Sequence, residues 1–455
     1  MRALDPDRVQ IVQPGRFGPG PVLYWMCRDF RLHDNWALLH ARAAARAAEV
    51  PLVVVVCLHE GFPGMAGRRG EFLLAGLKVL ENDLRARNIP MFLLTGDPVW
   101  HLPEFVRWRG ISSLVTDYSP LRRIRGDQIG VVDRLSIPVQ RVDAHNIVPA
   151  WLVSGRPEYA ARTIRPKLNR QLFRFLTPFP QLRDALRPWS GAVPRNDWSA
   201  AARLVRPGPP LVRTFSAGEA AGRAALRRFL TKGLPRYSTS NNDANAGAVS
   251  HLSPYLNCGQ LSAQRVALAV QQVKGHPEAK ATYLEQLVIR RELSDNYCEH
   301  NRWYDDFRGF PAWSRRSLEE HADDPRDHIY CYTDLVAGRS DDSLWNAAQH
   351  DLLHTGRMPG YLRMYWAKRL LTWTNDPAEA LHNAIRLNDE LALDGCDPNG
   401  YTGCAWSIGG VHDRPWFERP IFGKVRTLTA AGCRRQFDIP AYIERVASMS
   451  QQVAT

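Results

Sequence analysis

The chain has 455 residues, and its 59 lysines and arginines exceed its 46 aspartates and glutamates, which makes the formal net charge +13. Apolar residues make up 45 % and charged residues 23 %. This composition excludes wholesale disorder and predicts about two or three folded domains. The apolar run at residues 51–58 is too short to span a bilayer. No cationic stretch followed by an apolar segment opens the sequence, so we expect neither a membrane protein nor a secretory signal.

The eight cysteines are scattered and form no C-x-x-C pair. This pattern favours reduced thiols in a cytoplasmic protein and argues against a zinc site, and we predict no metal ligands. The chain also has an unusually large number of tryptophans, 14. A basic, tryptophan-rich chain indicates an anionic partner and a use for aromatic rings, although most tryptophans in proteins belong to the core.

Residues 1–170 alternate strand and helix signals. Strands are expected at residues 22–27, 52–58, 91–94, 113–117 and 139–142. Between them, Asp34 offers an N-cap for a helix over 35–48, a second helix covers 69–87, and Asp97 with Pro98 begins a third. Because parallel strands need crossover connections, the repeated βα units predict an α/β domain with a doubly wound parallel sheet of about five strands.

Composition changes at residues 171–215, where prolines and arginines are frequent, and we expect a linker that runs over the surface. The sequence Ser216-Ala-Gly-Glu219 is typical of a capping box, here beginning a helix that extends through Leu230. Beyond it, helical periodicity dominates at 261–273, 281–299, 343–356, 361–373 and 377–392. The sequence therefore predicts an all-helical domain over residues 216–455.

Several familiar catalytic patterns are absent. The chain has no G-x-x-x-x-G-K-[ST], H-E-x-x-H or G-x-S-x-G sequence, and no G-x-G-x-x-G follows its first expected strand. This argues against an ordinary nucleotide-hydrolysing or NAD-binding module. We therefore expect the chemistry to lie in the helical half or to involve no protein nucleophile.

Tryptophan spacing is the most informative local pattern of the helical half. Trp366 and Trp373 are seven residues apart on one expected helix, so their rings share a face about 10.5 Å apart along the axis. This spacing suits electron transfer between indoles, and Trp345 on the preceding helix could extend the path. Spacing alone favours the alternative that these rings simply pack in a core.

Three further patterns each allow two interpretations. Hydroxyls at Ser250 and Ser253 precede a helix, where a phosphate can bind, although a plain N-cap is simpler. Residues 394–400 form a turn rich in carboxylates that could accept hydrogen bonds from a heterocycle or be only a loop. Basic residues are interleaved with Trp406 and Trp416, which is typical of a nucleic-acid surface or of a solvated basic face.

Longer ordered motifs carry a family resemblance. They include VDAHNIVP at 142–149, YAARTIRP at 159–166, HLSPYL at 251–256, LWNAAQ at 344–349 and GYLRMYWAK at 360–368. Related motifs run over 24–29, 290–293, 394–401 and 406–413. In this order they make the chain resemble a class II cyclobutane pyrimidine dimer photolyase, of the cryptochrome/photolyase family, over nearly its whole length.

The resemblance implies a carbon–carbon lyase that binds FAD and UV-damaged double-stranded DNA, and that flips the fused dimer into a pocket of the helical domain. In such enzymes blue light excites reduced FAD, an electron passes to the dimer, the cyclobutane ring opens and the electron returns. The resemblance also implies a monomer whose N-terminal domain houses an antenna chromophore, typically 8-hydroxy-5-deazaflavin. No residue pattern in this chain distinguishes a deazaflavin from a folate or from the absence of an antenna.

Residue roles follow from the same resemblance. It places the FAD contacts on Tyr237, Ser250, Leu252, Ser253, Arg363, Asn388, Asp394 and Asp397. Within this set, Arg363 pairs with Asp394 and Asn388 faces flavin N5. The resemblance assigns electron transfer to Trp345, Trp366 and Trp373. It assigns contacts with the flipped dimer or the DNA to Met364, Trp406, Arg290, Arg414 and Arg426.

The sequence departs from the family pattern at four places near the expected pocket. The family has a second glutamate where this chain has Gln286, whose amide can donate a hydrogen bond to the dimer but cannot supply a proton. The other departures are Asn257-Cys258 for His-Phe, Pro359 for His and Ala405 for Met. We expect them to affect repair efficiency or lesion choice and to leave flavin binding intact.

Light-driven dimer repair is therefore the first hypothesis. The alternatives are a cryptochrome-like blue-light photoreceptor with little or no repair, and a photolyase of altered lesion specificity. The basic surface and Trp406 favour repair, since a sensor needs no charge directed at DNA phosphates. Gln286 is the argument against repair.

Overall fold

The structure is a computed structural model that describes residues 4–16, 18–182, 186–193, 195–212 and 215–454. Its N-terminal part contains one six-stranded sheet. The strands are β1 (Val9–Gln13), β2 (Val22–Met26), β3 (Leu52–Leu58), β4 (Met91–Thr95), β5 (Ser113–Asp117) and β6 (Val139–Val142). Their order across the sheet is β1-β6-β5-β2-β3-β4.

The five expected strands, β2 to β6, are parallel, so the α/β class is confirmed. Strands β2, β3 and β5 are buried along their whole length because helices cover both faces of the sheet, which explains the four consecutive valines of β3. Strand β1 pairs antiparallel with β6 and lies outside the sequence-based expectation. It is a short, partly exposed edge strand without a buried apolar run.

Helices make up the rest of the regular structure. Those of the N-terminal part are α1 (Trp36–Ala47), α2 (Gly67–Arg85), α3 (Pro98–Trp108), α4 (Arg122–Val132), α5 (Ala150–Val153) and α6 (Ala161–Phe175). Then follow α7 (Trp198–Arg203), α8 (Glu219–Arg228), α9 (Tyr237–Ser240), α10 (Ser253–Asn257), α11 (Ala263–Gln272), α12 (Pro277–Leu284), α13 (Arg291–His300) and α14 (Ala312–Glu320). The last are α15 (Tyr332–Ala337), α16 (Ser343–Thr355), α17 (Gly360–Leu371), α18 (Pro377–Leu391), α19 (Pro398–Gly409), α20 (Ala430–Arg434) and α21 (Ile439–Ala454). The combination of an α/β part with a helical part is thus confirmed.

The start of α1 differs from the expectation. Its N-cap is Asn35, whose side chain accepts a hydrogen bond from the backbone N of Leu38 at 3.0 Å. Asp34 instead has a left-handed φ of 55° and pairs with Arg265 of α11 at 2.6 Å. The expected Asp34 cap is wrong because a distant arginine holds its carboxylate.

The capping box at the start of α8 is also wrong. The N-cap is Gly218, which has a φ of 100° and makes no side-chain capping bond. The Glu219 carboxylate accepts a hydrogen bond from the backbone N of His33 at 3.1 Å and pairs with Arg223. As at α1, a tertiary partner replaces the local cap.

The segment 171–215 contains some regular structure. Helix α6 runs into it as far as Phe175, and α7 lies within it. The side chain of Asn196 pairs with the outer edge of β4, accepting from the backbone N of Leu93 at 2.9 Å and donating to the backbone O of Met91 at 3.0 Å. The segment therefore covers part of an edge strand that would otherwise expose backbone groups.

The stretch expected as one helix over 281–299 is continuous but contains a π-helical segment. Helix α12 ends at Leu284, the π segment covers Glu285–Arg290, and α13 follows directly. Such segments interrupt the regular helical spacing of side chains and are frequent at functional sites. This one carries Gln286 and Arg290, two of the predicted site residues.

Two buried arginines join the α/β part to the helical part. Arg28, just after β2, donates two hydrogen bonds of 2.9 Å to Asp295 of α13. Burial alone raises the pKa of Asp295, but Arg28 overcomes it and lowers that pKa to about 2. Arg68 of α2 donates to the backbone O of Leu352 in α16 at 3.1 Å.

Of the helices described, none is long and apolar enough to cross a membrane.

Candidate functional site

A cavity of about 210 Å³ lies in the helical part, between α10, α17, α19 and the loop before α19. Six predicted site residues line it: Ser253, Arg363, Met364, Trp366, Asp394 and Asp397. The other lining residues are His145, Leu256, Asn257, Arg291, Gly360, Ala367, Asn399, Gly400, Gly403, Cys404 and Ser407. Residues from widely separated sequence motifs therefore line one cavity.

The pair of Arg363 and Asp394 lies in the wall of this cavity. Arg363 donates from both terminal nitrogens to Asp394 Oδ1, at 3.2 and 3.1 Å. It also donates to Asn388 Oδ1 at 3.4 Å, while Asn388 Nδ2 donates to Asp389 at 3.1 Å. The amide of Asn388 is thus held at both ends, which determines how its donor and acceptor are oriented.

Asn388 is not among the lining residues of the cavity, but its amide packs against Gly400, which is. A Cβ on Gly400 would lie 2.8 Å from Asn388 Nδ2, so any larger residue would displace the amide. Asp389 is a neighbour that sequence patterns do not reveal. It accepts hydrogen bonds from the backbone N of Cys396 at 2.7 Å and from the Tyr401 hydroxyl at 3.1 Å, and burial raises its pKa.

Asp397 begins α19. Its carboxylate accepts from the backbone N of Asn399 at 3.1 Å and from Asn399 Nδ2 at 2.9 Å, which makes it the N-cap. Burial raises the pKa of Asp397. One side chain thus serves as a helix cap and as part of the cavity wall.

Asn257 is a lining residue whose connections sequence reasoning missed. Its Oδ1 accepts two hydrogen bonds from Arg69 of α2, at 3.1 and 2.8 Å. Its Nδ2 donates to the backbone O of Asp394 at 3.3 Å and of Gly395 at 3.0 Å. Asn257 therefore connects the α/β part to the loop that carries Asp394.

The remaining predicted cofactor contacts form a group beside the cavity. Tyr237 and Leu252 are buried, and the Tyr237 ring packs edge-on against Tyr283 with centroids 5.1 Å apart. The Ser250 hydroxyl accepts from the backbone N of Leu252 at 3.4 Å. Of this group only Ser253 is among the lining residues. Helix α10 has five residues and no side-chain cap, so its dipole contributes little to an anion site.

Positive charge surrounds His251, which lies between Ser250 and Leu252. Burial, together with the guanidinium groups of Arg357 and Arg228, lowers the pKa of His251 to about 4. Arg357 Nε is buried and has no hydrogen-bond partner. No described carboxylate lies within salt-bridge distance of either arginine. Arginines in this state are suited to an anion such as a diphosphate, and Arg228 gave no signal in the sequence.

The three predicted electron-transfer tryptophans are in contact. Trp366 lines the cavity, and its ring stacks on Trp345 with centroids 6.1 Å apart. The expectation that Trp366 and Trp373 share one helix is wrong, because α17 ends at Leu371 and Trp373 lies beyond it. The Trp373 ring packs edge-on against Trp345 at 5.1 Å. Tyr330, which is partly exposed, packs edge-on against Trp373 at 5.3 Å. The rings therefore form both a core cluster and a continuous path from the cavity toward the surface.

The predicted lesion contacts lie at the cavity and next to it. Met364 is a lining residue. Trp406 is not among the lining residues, but it precedes the lining residue Ser407 on α19 and is partly exposed. The Nζ of Lys368 lies 4.8 Å from the centroid of the Trp406 ring.

Gln286 is exposed and is not among the lining residues of the cavity. Its neighbour Glu285 pairs with Arg165 at 2.8 Å and with Arg290 at 3.4 Å. Glu285 is therefore held by two arginines and does not substitute for a carboxylate at position 286. Arg290, a predicted DNA contact, is exposed, and its guanidinium group is already paired with Glu285.

The other two predicted DNA contacts lie together on the surface. The guanidinium groups of Arg414 and Arg426 stand 5.4 and 4.7 Å from the centroid of the Trp416 ring. Trp416 Nε1 donates to Asp413 at 3.2 Å, and the adjacent Phe417 is 92 % exposed. Exposed arginines beside exposed aromatic rings suit both phosphates and bases.

Similar proteins are found over the whole length of the chain. The profile of the family described as DNA photolyase matches residues 22–184. A deoxyribodipyrimidine photo-lyase of Arabidopsis thaliana is 45 % identical, and the match covers 98 % of this chain and 94 % of that protein. Proteins of the same name from Potorous tridactylus and Methanothermobacter thermautotrophicus are 42 % and 35 % identical, with 93 % and 95 % of this chain and 81 % and 95 % of those proteins covered.

Solved structures share the fold. A class III photolyase from Agrobacterium tumefaciens superposes with a TM-score of 0.74 at 18 % identity, covering 95 % of this chain and 87 % of that one. A Synechocystis cryptochrome gives a TM-score of 0.68 at 15 % identity, covering 94 % and 99 %. These identities bear on the fold alone, whereas the full-length sequence matches show the family. The chain belongs to the DNA photolyases of the cryptochrome/photolyase family.

Proposed function

We propose that this protein is a class II deoxyribodipyrimidine photo-lyase, which uses light to split cyclobutane pyrimidine dimers in UV-damaged double-stranded DNA. The observation that carries the proposal is 45 % identity, over 98 % of the chain, to a protein with that name. The site supports it, because lining residues assigned to the cofactor and to the lesion occur in one cavity.

The donor set around the cavity suits FAD, the cofactor that the family implies. Arg357, with its unpartnered buried Nε, and the Ser253 hydroxyl suit the diphosphate. Gly400 and Gly403 line the cavity without side chains beyond Cα, and the Asn388 amide packs against Gly400, which suits a flat ring with polar edges. When bound and reduced, FAD supplies the photoexcited electron that opens the cyclobutane ring and then takes the electron back.

The polar side chains of the wall orient the ring system. Asn388 is proposed to contact flavin N5, where its amide can donate or accept a hydrogen bond. Arg363 and Asp389 hold the two ends of that amide, so its orientation is set before the cofactor binds. Asp394 compensates the charge of Arg363, and Asp397 borders the same space.

The tryptophans deliver electrons to the cavity from the surface. Trp366 is proposed to act next to the cofactor, with Trp345 and then Trp373 behind it. Successive ring centroids are 6.1 and 5.1 Å apart, so no solvent-filled gap interrupts the path.

The flipped dimer is proposed to contact Met364 and Trp406, while Arg290, Arg414 and Arg426 hold the DNA backbone. Flipping costs a few kcal/mol, and it costs least for a lesion that is already poorly paired. Gln286, on the exposed π segment, can donate a hydrogen bond to the dimer through its amide but supplies no proton.

An antenna chromophore, 8-hydroxy-5-deazaflavin rather than folate, remains an expectation from the resemblance. Ligands of doubly wound sheets bind outside the carboxyl ends of the strands, where the strand order reverses. Here that crevice, lined by Cys27, Phe62 and Ser119, encloses about 30 Å³. This is room for about two water molecules, which is too little for a three-ring chromophore. An absorption spectrum of the purified protein tests for one.

We also propose that the protein acts as a monomer in the cytoplasm. All eight cysteines are free thiols, as a reducing compartment favours. Size-exclusion chromatography with light scattering tests the monomer.

The deciding experiment is repair of a dimer-containing oligonucleotide by the purified, photoreduced protein under blue light, with a dark reaction as control. Restoration of intact pyrimidines only in the light is the expected result. Normal flavin photoreduction without repair would overturn the proposal and identify a photoreceptor. Repair of a different photoproduct would identify altered lesion specificity.

A further inference from the structure

Lys368 is buried beside the cavity without a carboxylate partner. It lies on α17 and is 1 % exposed. Its Nζ donates a hydrogen bond to the backbone O of Ser407 at 2.6 Å and stands 4.8 Å from the centroid of the Trp406 ring. No described carboxylate lies within salt-bridge distance of this amine. Lysine is almost never fully buried unless it is paired, so this position calls for an explanation.

The hydrogen bond to Ser407 completes the C-terminal turn of α19. That helix ends at Gly409, so the carbonyl groups of its last turn have no partners farther along the helix. The Gly409 carbonyl accepts from the Ser314 hydroxyl at 2.6 Å, and the Ser407 carbonyl accepts from Lys368. A cation at this end also interacts favourably with the helix dipole.

Trp406 has Lys368 against its ring and is still partly exposed. A buried ammonium group over an indole is more strongly attracted to it than an exposed one, because water does not compete. Lys368 therefore restrains both the backbone next to Trp406 and the ring itself.

Charged groups on the loop after α19 face the amine. Asp413 favours the charged form of Lys368, and Arg426 disfavours it. Asp413 also accepts from Trp416 Nε1 at 3.2 Å, and Arg426 stands over the same ring. His412 is neutral near pH 7, because burial lowers its pKa to about 4. Lys368 is thus electrostatically connected to the surface that carries two of the proposed DNA contacts.

We propose that Lys368 is a positioning residue for lesion recognition: its protonated amine holds the last turn of α19 and the Trp406 ring in the geometry that receives the flipped dimer. This inference rests on the proposed repair function. The amine acts through Trp406, and no proton passes from it to the substrate.

Proton linkage follows from this arrangement. Burial lowers the pKa of Lys368 to about 7; Asp413 opposes that shift and Arg426 adds to it. DNA phosphates that bind near Arg426 bring negative potential, which raises the pKa of Lys368 and leads to proton uptake. The affinity that Lys368 contributes is complete below about pH 7 and is lost as the pH rises through the pKa of the complex.

The experiment measures proton uptake by calorimetry, in buffers of different ionisation enthalpy, as the FAD-loaded protein binds dimer-containing or undamaged duplex in the dark. The wild-type protein is expected to take up a fraction of a proton from the buffer when it binds dimer-containing DNA near pH 8. Lys368→Met keeps much of the side-chain length without charge. It is expected to lose this uptake and to bind the lesion roughly fivefold more weakly at pH 6.5, with undamaged DNA little affected.

Two further variants make the test specific. Lys368→Arg keeps a charge that does not titrate, so its preference for the lesion is expected to persist without the pH dependence. Lys280→Met is the matched control: Lys280 Nζ also donates to a helix-terminal carbonyl, that of Val273 at 2.9 Å, and stands over none of the described aromatic rings. This control is expected to keep wild-type uptake and lesion preference.

Wild-type uptake and lesion preference in Lys368→Met would overturn the inference, as would their equal loss in Lys280→Met. Absence of uptake by the wild-type protein would overturn it as well, even if Lys368→Met failed to fold. Failure of the wild-type protein to repair dimers under light would instead overturn the proposed function, since these binding measurements are made in the dark.

Discussion

The indole rings of Trp345 and Trp366 lie parallel, with 4° between their planes and 6.1 Å between their centroids. Trp345 Nε1 donates a hydrogen bond to the backbone O of Trp366 at 2.9 Å, which holds the two helices α16 and α17 in this register. Trp366 Nε1 donates to Gln349 at 3.0 Å. The stack begins at the cavity, so its first member is the ring whose loss most directly interrupts electron delivery.

Trp366→Phe is expected to abolish photoreduction of the oxidised flavin, because phenylalanine is a far poorer electron donor than tryptophan. Repair by protein that has been reduced chemically beforehand is expected to persist. Flavin absorbance under blue light measures the first effect, and repair of a dimer oligonucleotide measures the second. Trp100→Phe, at a 60 % exposed position on α3, is the control and keeps both. Normal photoreduction in Trp366→Phe would contradict the assigned path.

Asp394→Asn is expected to weaken FAD binding roughly tenfold, because it leaves the Arg363 guanidinium in the cavity wall without its charge partner. The measurement is the fluorescence of FAD released on dilution. Asp334→Asn removes the partner of Arg339 from an exposed pair and is expected to leave FAD binding unchanged. Equal FAD retention in the two variants would rule out the proposed role of Asp394.

Gln286→Glu is expected to raise the yield of repaired dimers per absorbed photon severalfold. The reason is that a carboxyl group can exchange a proton with the dimer radical, whereas an amide cannot. Repair yield under calibrated blue light is the measurement, and Gln271→Glu, at an exposed position of α11, is the matched control. A yield unchanged by Gln286→Glu would show that the natural glutamine does not limit repair.

Glu292 makes stability depend on pH. Burial raises its pKa to about 8, although Arg291 opposes the shift, and its Oε1 accepts from the backbone N of Ile147 at 2.7 Å. The folded protein therefore holds a proton that the unfolded chain releases above its ordinary pKa near 4.5. The contribution of Glu292 to the free energy of unfolding is fully present below about pH 4.5 and is lost as the pH rises to about 8.

Glu292→Gln keeps the acceptor oxygen and removes the titration. The melting temperature of this variant is expected to fall less steeply between about pH 5 and 8 than that of the wild-type protein. Thermal melts in a pH series measure the difference. Parallel curves for the two proteins would contradict the raised pKa.

Arg426→Ala is expected to lower the slope of log affinity against log salt by about 0.9, the contribution of one phosphate contact. Binding of dimer-containing duplex at several salt concentrations provides the slope. Arg85→Ala, on the exposed side of α2, is the control and keeps the wild-type slope. A slope unchanged by Arg426→Ala would place the DNA elsewhere on the surface.

Local patterns predicted the elements well and the tertiary partners poorly. The expected strand at 52–58 is β3 to the residue, because a β-branched apolar run between breakers is a local property. The expected caps at Asp34 and Ser216 are wrong, because Arg265 and His33 compete for the carboxylates of Asp34 and Glu219. No local sequence pattern predicts a hydrogen-bond or ion-pair partner that lies far away in the chain.

The residues of the site show the same difference between local sequence patterns and tertiary contacts. The resemblance assigned roles to six of the residues that line the cavity, because each of them lies in a short motif that can be read from the sequence. The motifs marked Asn257 only as a departure from the family pattern, without its connections, and they missed Arg228. The functions of these two residues depend on Arg69 and on His251, which are brought near only by folding.

The sequence by itself determined the α/β and helical parts, the family and the excess of basic residues and tryptophans, because these depend on composition, local periodicity and ordered motifs. Only the tertiary structure decided which charges are paired, which are left for an anion, and that the amine of Lys368 lies buried against Trp406. The physical reason is that burial and electrostatic pairing depend on distances between groups far apart in the chain.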